Sequence, residues 1–478
     1  MKSYRNLFLA ACVPAGAAAL PLASQNISRP NVVLIITDQQ QASKIGYLGD
    51  EGIHTPVMDR IAREGVVFQN ARCTYPLSAP QRFAMFTGLY PSCVGFRFNT
   101  RTAEDRAKLD WETIDAAIPK SLANVFKAAG YRTYYGGKSD IPSRESNLAP
   151  EYYGFETVYS TDERDMLGTD FSRALMHIVE KDKPFLMVAS FLNPHDICLY
   201  DTAYQESDKL SGEYRGNNWA FRSLERVCMA RNTAAMYSDD VFYKSVAPPL
   251  PPNSESMAGV PEGIFSNPGC AFSSDGWRMY RYIYDRLVEE VDTEIAPVLY
   301  SLEKGGFLNN TIIVFMSDHG EMDGAHGLGW KGVPFEEAQR VPFIISGPGL
   351  RKGVIDETTR VNTGVDLIPT LCELAGIGIP EGLHGQSVAA ACFQGGKVSE
   401  RKYTFHEGDN WMQVIEEERY KYTVVNKPGT DPFGILVDLK KDPGELQNLA
   451  GNRKYGRILE RLSEVLSDHE KAVAGHEQ

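Results

Sequence analysis

Four short segments rich in apolar and aromatic residues constrain the fold of this chain most strongly. They are residues 32–36, 131–135, 185–190 and 311–316. Such runs are typical of strands buried on both faces, which occur in parallel sheets. Ligands of these sheets bind outside the carboxyl ends of the strands. The residues that follow the four segments are therefore expected to surround one cleft: Asp38, Lys138, His195, Asp318 and His319.

Helical patterns separate the strand segments. Helices are predicted from Pro56 to Gly65, from about Pro119 to Gly130 and around residues 284–302, since proline marks helix starts and glycine marks helix ends. This alternation predicts an α/β fold with a large mixed, mostly parallel sheet sandwiched by helices. Residues 411–415, 420–425 and 435–437 predict a smaller antiparallel sheet, followed by a terminal helix around residues 458–466.

The chain divides into three predicted parts. Residues 1–24 combine basic residues with an alanine-rich apolar run, the pattern of a secretory signal peptide. An exported, periplasmic or secreted protein is therefore expected, with lipid anchoring at Cys12 as an alternative. Residues 25–384 form the predicted catalytic α/β domain, and residues 385–478 form a C-terminal α+β subdomain. Residues 200–270 are rich in Pro, Gly and Asn and are predicted to be an irregular excursion that shapes the cleft.

The net charge limits the binding partners. The chain has 49 basic and 62 acidic side chains, which give −13 at neutral pH. A negative surface argues against nucleic acid and anionic membranes as partners, because both need a dense positive field. An anionic substrate would require positive charge concentrated at one site. No apolar run after the signal segment is long enough to span a membrane, and the 8 cysteines include no CxxC pair, so mostly buried thiols are expected.

The most specific motif is residues 78–82, Ser-Ala-Pro-Gln-Arg, followed by Thr-Gly at 87–88. Pro80 suits the first turn of a helix and Gly88 suits its end. Ser78 would then lie at a helix N-terminus, where unpaired amides and the helix dipole favour an oxyanion. Taken alone, an ordinary helix-capping serine explains this sequence as well.

The motif resembles the sulfatase signature, in which Cys or Ser is followed by x-Pro-x-Arg and then by Thr-Gly. Gln81 stands where that family usually has Ser. Segments in the same order resemble further motifs of the family at residues 29–39, 55–65, 137–138, 194–196, 317–321, 329–331 and 437–449. The chain thus resembles a type I, formylglycine-dependent sulfatase of the alkaline-phosphatase-like superfamily, and in particular the secreted bacterial glycan sulfatases of the serine type.

The resemblance implies a metal site. A divalent cation would be held by Asp38, Gln39, Asp318, His319 and the modified Ser78. Calcium is the implied ion, because oxygen donors favour hard cations, although the His319 nitrogen leaves magnesium or manganese open.

The resemblance also implies the catalytic groups. Arg82, Lys138, His195 and Lys331 would bind sulfate and transfer protons. Ser78 would be converted to formylglycine (3-oxoalanine) by an anaerobic-type sulfatase-maturing enzyme. One position departs from the family pattern, because Ser139-Asp140 stand where Trp-His usually follows Gly-Lys. Either Asp140 takes part of the role of that histidine or nucleophile turnover works differently, and we count Asp140 among the candidate substrate-binding residues.

The expected substrate is a sulfated glycan or a small sulfate ester. His406, Asp409 and Trp411 are candidate sugar contacts, with a plain surface loop as the alternative interpretation. Two other functions stay open from the sequence. One is a phosphomonoesterase or phosphodiesterase of the same superfamily that uses unmodified Ser78, and the other is a catalytically silent glycan-binding protein.

Overall fold

The computed structural model describes residues 29–50, 52–100, 102–147, 149–158, 168–177, 183–200, 218–261, 263–265 and 272–474. The predicted signal peptide, with Cys12, and residues 201–217 of the predicted excursion lie outside these residues. No helix in the described part of the chain combines the length and apolar character that crossing a membrane requires.

Two sheets organise the structure. The strands are β1 (Asn31–Asp38), β2 (Gly65–Arg72), β3 (Arg132–Gly137), β4 (Glu156–Thr157), β5 (Phe185–Pro194), β6 (Thr311–Ser317), β7 (Phe343–Ser346), β8 (Val354–Asn362), β9 (Tyr403–Gly408), β10 (Trp411–Glu416), β11 (Tyr420–Val425) and β12 (Phe433–Asp438). The large sheet has the order β4-β3-β5-β1-β6-β7-β2-β8, and the small one has the order β12-β11-β10-β9. Within the large sheet β7 runs antiparallel to β2 and β6, while the other described pairs are parallel.

Helices cover both faces of the large sheet and one face of the small sheet. They are α1 (Pro56–Arg63), α2 (Ser78–Thr87), α3 (Ala103–Ala107), α4 (Trp111–Ala117), α5 (Leu122–Ala128), α6 (Gly168–His177), α7 (Asn218–Ala234), α8 (Asp239–Val241), α9 (Ser274–Lys304), α10 (Glu336–Gln339), α11 (Leu367–Leu374) and α12 (Gly456–Ala474). The predicted fold class is thereby confirmed.

Strand β1 occupies the middle of the large sheet because it has no polar face. All eight of its residues are buried, between β5 on one side and β6 on the other. Val32, Leu34 and Ile36 belong to one hydrophobic core, whereas Val33 and Ile35 belong to a second core on the opposite face. A strand that is apolar on both sides needs a layer of helices on each side, and this places its polar end, Asp38, in the centre of the molecule.

The small sheet packs directly against the segment that follows β6. Trp411 and Val437 share a core with Leu328 and Phe335, while the other face of the sheet packs against α12. All four strands are antiparallel to their neighbours. The small sheet therefore supports the loop that carries Lys331.

The structure differs from the sequence predictions in two places. Residues 218–234 form helix α7, so the prediction of irregular structure is wrong for this part of 200–270. Strand β9 precedes the three predicted strands of the small sheet. The division at residue 384 stays a prediction, and the large core extends past it to Ala389, Ala391 and Cys392.

Candidate active site

Polar groups from four strand ends meet at one edge of the large sheet. Asp38 ends β1 and Asp318 follows β6, while Lys138 follows β3 and His195 follows β5. These four strands are parallel, so their carboxyl ends point the same way. The register sets Asp38 opposite Pro194 and sets Thr37 opposite Ser317, which brings the two aspartates side by side.

Ser78 is the first residue of helix α2. Leu77 before it is extended, and Gly88 ends the helix at a φ of 72°, a left-handed conformation that glycine adopts without strain. The side chain of Ser78 is 1% exposed. Its Oγ lies 3.0 Å from His319 Nε2 and accepts a hydrogen bond from Lys138 Nζ at 3.3 Å. The hydroxyl is thus held at a helix N-terminus between an imidazole and an ammonium group.

Asp38, Asp318 and His319 form a group that could hold a metal ion. One ligand atom from each lies within 4.8 Å of the other two, and all three residues are buried. Asp38 Oδ1 has no hydrogen-bond partner, which is costly for a buried carboxylate oxygen without a cation. His319 Nδ1 lies 3.0 Å from the carbonyl oxygen of Gly320, an arrangement that leaves Nε2 to face a cation. The donor set therefore fits a divalent cation.

The pKa values in this cluster are shifted by burial and by neighbouring charges. Burial alone would raise the pKa of Asp38, but the neighbouring Lys138, together with His195 and Arg82, holds it well below the usual range. Burial and the adjacent Asp38 raise the pKa of Asp318. Burial lowers the pKa of His319 to about 3, so the imidazole is neutral and keeps a lone pair for a cation.

Arg82 holds the two aspartates together. Its Nε donates to Asp318 Oδ2 at 3.0 Å and its Nη2 donates to Asp38 Oδ2 at 3.2 Å. The Nη1 donates to the Lys138 carbonyl and to Ser190 Oγ, both at 2.8 Å. With every nitrogen bonded to the protein and 0% of the residue exposed, Arg82 is placed to fix the carboxylates rather than to contact sulfate directly.

Lys138 pairs with two acids. Its Nζ donates to Asp38 Oδ2 and forms a salt bridge of 3.1 Å with Asp140 Oδ2. Asp140 therefore lies next to the lysine that contacts Ser78. The Asp140 side chain is 28% exposed, so it lies at the mouth of the site.

Gln39 links the aspartate cluster to Lys331. Its Oε1 accepts from Lys331 Nζ, and its Nε2 donates to Glu321 Oε2. Cys198 Sγ lies 3.2 Å from Gln39 Nε2 and 3.8 Å from Lys331 Nζ. Lys331 therefore lies at the site, where it contacts Gln39, the residue next to Asp38.

Glu321 and Cys198 are site residues to which the sequence analysis assigned no catalytic or ligand role. Burial raises the pKa of Glu321 to about 7, and burial also raises that of the Cys198 thiol. Glu321 follows Asp318-His319-Gly320 at the end of β6, and Cys198 lies three residues after His195. Proximity to strand ends was the signal that could have identified both.

His195 begins a short 3₁₀ turn after β5 and is half-buried. Its charge contributes to the low pKa of Asp38, which places it near the aspartate cluster. The neighbouring Asp196 is buried and pairs with Arg226 from helix α7 at 3.4 Å. Helix α7 therefore braces the turn that carries His195.

The candidate sugar contacts lie in different environments. His406 is 2% exposed, with Nδ1 2.8 Å from the Cys73 carbonyl oxygen and Nε2 3.2 Å from Thr404 Oγ1. Trp411 is 3% exposed and its Nε1 donates to the Gly332 carbonyl at 2.9 Å. This placement gives no support to direct sugar contact by either side chain. Asp409 is exposed in the turn between β9 and β10, and its role stays a prediction.

Comparison with known proteins decides the family. The profile of the family described as Sulfatase matches residues 30–377, which include the whole cluster described above. The chain belongs to the sulfatase family. A second profile, described as the C-terminal part of N-sulphoglucosamine sulphohydrolase, matches residues 324–472. The similarity of this sulfatase to known families therefore includes the small sheet and most of α12.

Relatives of this sulfatase include two proteins of Bacteroides thetaiotaomicron. A Delta 4,5-hexuronate-2-O-sulfatase is 27% identical, with 95% of this chain and 91% of the relative covered. An N-acetylglucosamine-6-O-sulfatase is 28% identical, with 95% and 89% covered. The solved structure of a 2-O GAG sulfatase is 24% identical and covers 93% of both chains at a TM-score of 0.71, which supports the same fold. As a sulfatase, the protein is a sulfuric ester hydrolase.

Proposed function

We propose that this sulfatase removes sulfate from a sulfated carbohydrate, using Ser78 after its conversion to formylglycine and a divalent cation at Asp38, Gln39, Asp318 and His319. One observation carries the proposal. The Oγ of Ser78 lies at the N-terminus of α2, 3.0 Å from His319 Nε2 and 3.3 Å from Lys138 Nζ. A nucleophile is thereby placed beside a cation site and a fixed positive charge.

Calcium is the cation that this donor set supports best. The two aspartates neutralise a charge of two, the Gln39 oxygen adds a neutral ligand, and carboxylate and carboxamide oxygens are hard donors. When bound, the ion lowers the pKa of a hydroxyl at position 78 and stabilises negative charge on the sulfate. Arg82, Lys138 and Lys331 balance the charges of Asp38, Asp318 and Asp140, so a bound divalent cation would make the site positive within a chain of net charge −13.

Formylglycine at position 78 would supply a hydrated aldehyde. One of its hydroxyls would attack sulfur and break the S–O bond to the sugar, which leaves as the alcohol. Deprotonation of the other hydroxyl would then release sulfate and restore the aldehyde. Lys138 contacts the reacting oxygen and orients it. Lys331, which contacts Gln39, and His195, which follows β5, would supply a positive charge and a proton to the leaving ester oxygen. Asp140 holds Lys138 from the open side of the site.

The substrate class, partners and location follow from the same proposal. The names of the two relatives specify a hexuronate 2-O-sulfate and an N-acetylglucosamine 6-O-sulfate, which supports a sulfated glycan as the substrate of this chain. A serine at position 78 supports maturation by an anaerobic-type sulfatase-maturing enzyme. The sequence of residues 1–24 supports export to the periplasm or the medium.

A substrate screen tests the proposal. The protein is produced together with an anaerobic-type maturing enzyme and is assayed for sulfate release from a panel of sulfated mono- and disaccharides, with phosphate monoesters and diesters in parallel. We expect sulfate release from at least one saccharide and none by Ser78→Ala, whose loss of a buried hydroxyl leaves the protein folded. Faster turnover of a phosphate ester would favour a phosphoesterase, and saccharide binding without turnover would favour a silent glycan-binding protein.

A further inference from the structure

We propose that Glu321 is a positioning residue of this site: it fixes the direction of the Gln39 carboxamide and anchors the loop of Lys331. The inference rests on the proposed function, because it takes Gln39 as a cation ligand and Lys331 as a sulfate-binding group. Glu321 itself touches neither the substrate nor the cation in this proposal.

Four donors converge on the buried carboxyl group of Glu321. Its Oε1 accepts from Tyr280 Oη at 2.8 Å, from the Trp330 amide at 2.6 Å and from the Asp323 amide at 3.2 Å. Its Oε2 accepts from Gln39 Nε2. The residue is 0% exposed, so no water competes for these bonds. Because all four neighbours donate, both carboxyl oxygens serve as acceptors in this arrangement.

This set of contacts determines which way the Gln39 carboxamide faces. A carboxamide has one accepting end and one donating end. Glu321 accepts, so it takes the NH₂ end, and the opposite Oε1 accepts from the ammonium group of Lys331. The same oxygen is the atom that a hard cation would bind. Rotating the carboxamide by half a turn would point an NH₂ group at both the lysine and the cation.

The backbone of Gln39 is already fixed by other bonds. Its amide donates to Asp318 Oδ1 at 3.1 Å, and its carbonyl accepts from Tyr284 Oη at 2.7 Å. Its φ of 69° lies in the left-handed region that few non-glycine residues adopt. The direction of the side-chain carboxamide is therefore the part of Gln39 that Glu321 controls.

The second contact of Glu321 acts on Lys331. The Trp330 amide, directly before Lys331, donates to Glu321 Oε1, and the Trp330 carbonyl accepts from the Met322 amide at 2.9 Å. The turn from Glu321 to Lys331 is thus closed by the same carboxyl group that directs Gln39. One buried side chain sets the relative position of the proposed cation ligand and the proposed sulfate-binding lysine.

Calcium titration of purified protein tests the proposal without any substrate. Glu321→Gln keeps the size and shape of the side chain but places an NH₂ group opposite the NH₂ group of Gln39. The Gln39 carboxamide is expected to rotate by half a turn to avoid this contact between two donors. We expect calcium affinity to fall about 10- to 100-fold, the range seen when a partner of a metal ligand is lost. Tyr280→Phe is the matched control, since it removes one bond to Glu321 without touching Gln39, and its affinity should stay within about threefold of wild type.

A swapped pair gives the sharper result. Gln39→Glu alone faces Glu321 with a second carboxylate and should also lose affinity. In the double variant Gln39→Glu/Glu321→Gln a carboxylate at 39 accepts from the new NH₂ group and still offers an oxygen to calcium, so affinity should recover to within about tenfold of wild type. Recovery of kcat on a sulfate ester, with KM little changed, should accompany it. If Glu321→Gln alone is unfolded, a folded, calcium-binding pair is the expected rescue.

Two results would overturn the proposal. One is a Glu321→Gln variant that binds calcium as tightly as wild type. The other is a double variant whose fold-loss of calcium affinity equals the product of the fold-losses of the two single variants. Failure of the proposed function is distinguishable, because it would show as a wild-type protein that binds calcium and follows the swap cycle yet releases no sulfate.

Discussion

At the scale of single residues, the charged side chains of the site differ in how firmly each one is held. Asp38 and Asp318 are both completely buried, and Arg82 bridges them at 3.2 and 3.0 Å. Lys331 differs from Arg82, because it reaches the site from a loop and its Nζ contacts the uncharged side chains of Gln39 and Cys198. It is therefore the cation that can move onto a substrate when one enters.

Removal of Lys331 tests this distinction. We predict that Lys331→Ala lowers kcat about 100-fold, the scale of losing one donor to a developing negative charge, with a smaller change in KM. The loss should be smaller for nitrophenyl sulfate, whose leaving oxygen needs less stabilisation. Steady-state kinetics on both esters measure this, with the exposed Lys441→Ala as control. A raised KM alone, equal for both esters, would make Lys331 a docking residue and pass the leaving-group role to His195.

At the scale of elements, strand β10 of the small sheet reaches the catalytic loop. Trp411 begins β10 and its Nε1 donates to the carbonyl of Gly332, next to Lys331. Its ring packs with residues of the segment between β6 and β7. The small sheet thus contributes a support for Lys331, which explains why a tryptophan expected at the sugar is found in the interior.

The loss of this one hydrogen bond should lower activity without unfolding the protein. Trp411→Phe keeps the ring contacts, and a net hydrogen-bond contribution of about 1 kcal/mol corresponds to about a fivefold lower kcat. The matched control is Trp111→Phe, because Trp111 Nε1 makes an equivalent bond of 2.9 Å to the Arg106 carbonyl in helix α3. Both variants should have a slightly lower melting temperature than wild type, and the Trp111 variant should keep its activity. Equal activities of the two variants would contradict the supporting role.

The elements predicted best from the sequence are those with a clear local signal, such as an apolar run or a proline and a glycine at the two ends of a helix. Strand β1 contains the apolar run 32–36, and Pro80 and Gly88 mark helix α2, so both were predicted close to their observed bounds. Helix α7 was missed, since nearby Pro and Gly residues suggested an irregular segment. The contact of Gln39 with Glu321 joins residues 282 positions apart, and no local pattern indicates such a pairing. His406 was a candidate sugar contact from the C-terminal subdomain, but it is buried within β9 and lies 2.8 Å from the Cys73 carbonyl oxygen.

At the scale of the whole molecule, helix α12 ties the C-terminus to both sheets. Val473 joins the core of the large sheet, whereas Leu462 and Leu466 pack on the small one. Between them the His469 ring stacks on Phe405 at 3.7 Å between centroids and meets Tyr90 edge-on at 4.8 Å. An ionisable group therefore lies at the junction between the two parts of the molecule.

The pH dependence of stability should reflect this histidine. Burial, and to a lesser extent His384, lower the pKa of His469 to about 4, against about 6.5 in an unfolded chain. Between pH 6.5 and pH 4 the unfolded state binds more protons at this histidine than the folded state does. The free energy of unfolding therefore keeps its full value above pH 6.5 and falls as the pH is lowered. Between pH 7.5 and 5 this one group should cost about 1–2 kcal/mol. Urea unfolding of His469→Phe at both pH values should show a correspondingly smaller loss, and an unchanged pH dependence would contradict the assignment.

The mass of one peptide tests the claim that sulfate hydrolysis by this protein depends on a modified Ser78. Trypsin releases residues 73–82, Cys-Thr-Tyr-Pro-Leu-Ser-Ala-Pro-Gln-Arg, in which Ser78 is the single serine. For protein made together with an anaerobic-type maturing enzyme, we predict a peptide lighter than the encoded one by two hydrogen atoms, and sulfate release that rises in proportion to the modified fraction. Protein made without that enzyme should give the encoded mass and no sulfate release. Full sulfatase activity in protein whose Ser78 peptide has the encoded mass would contradict the claim.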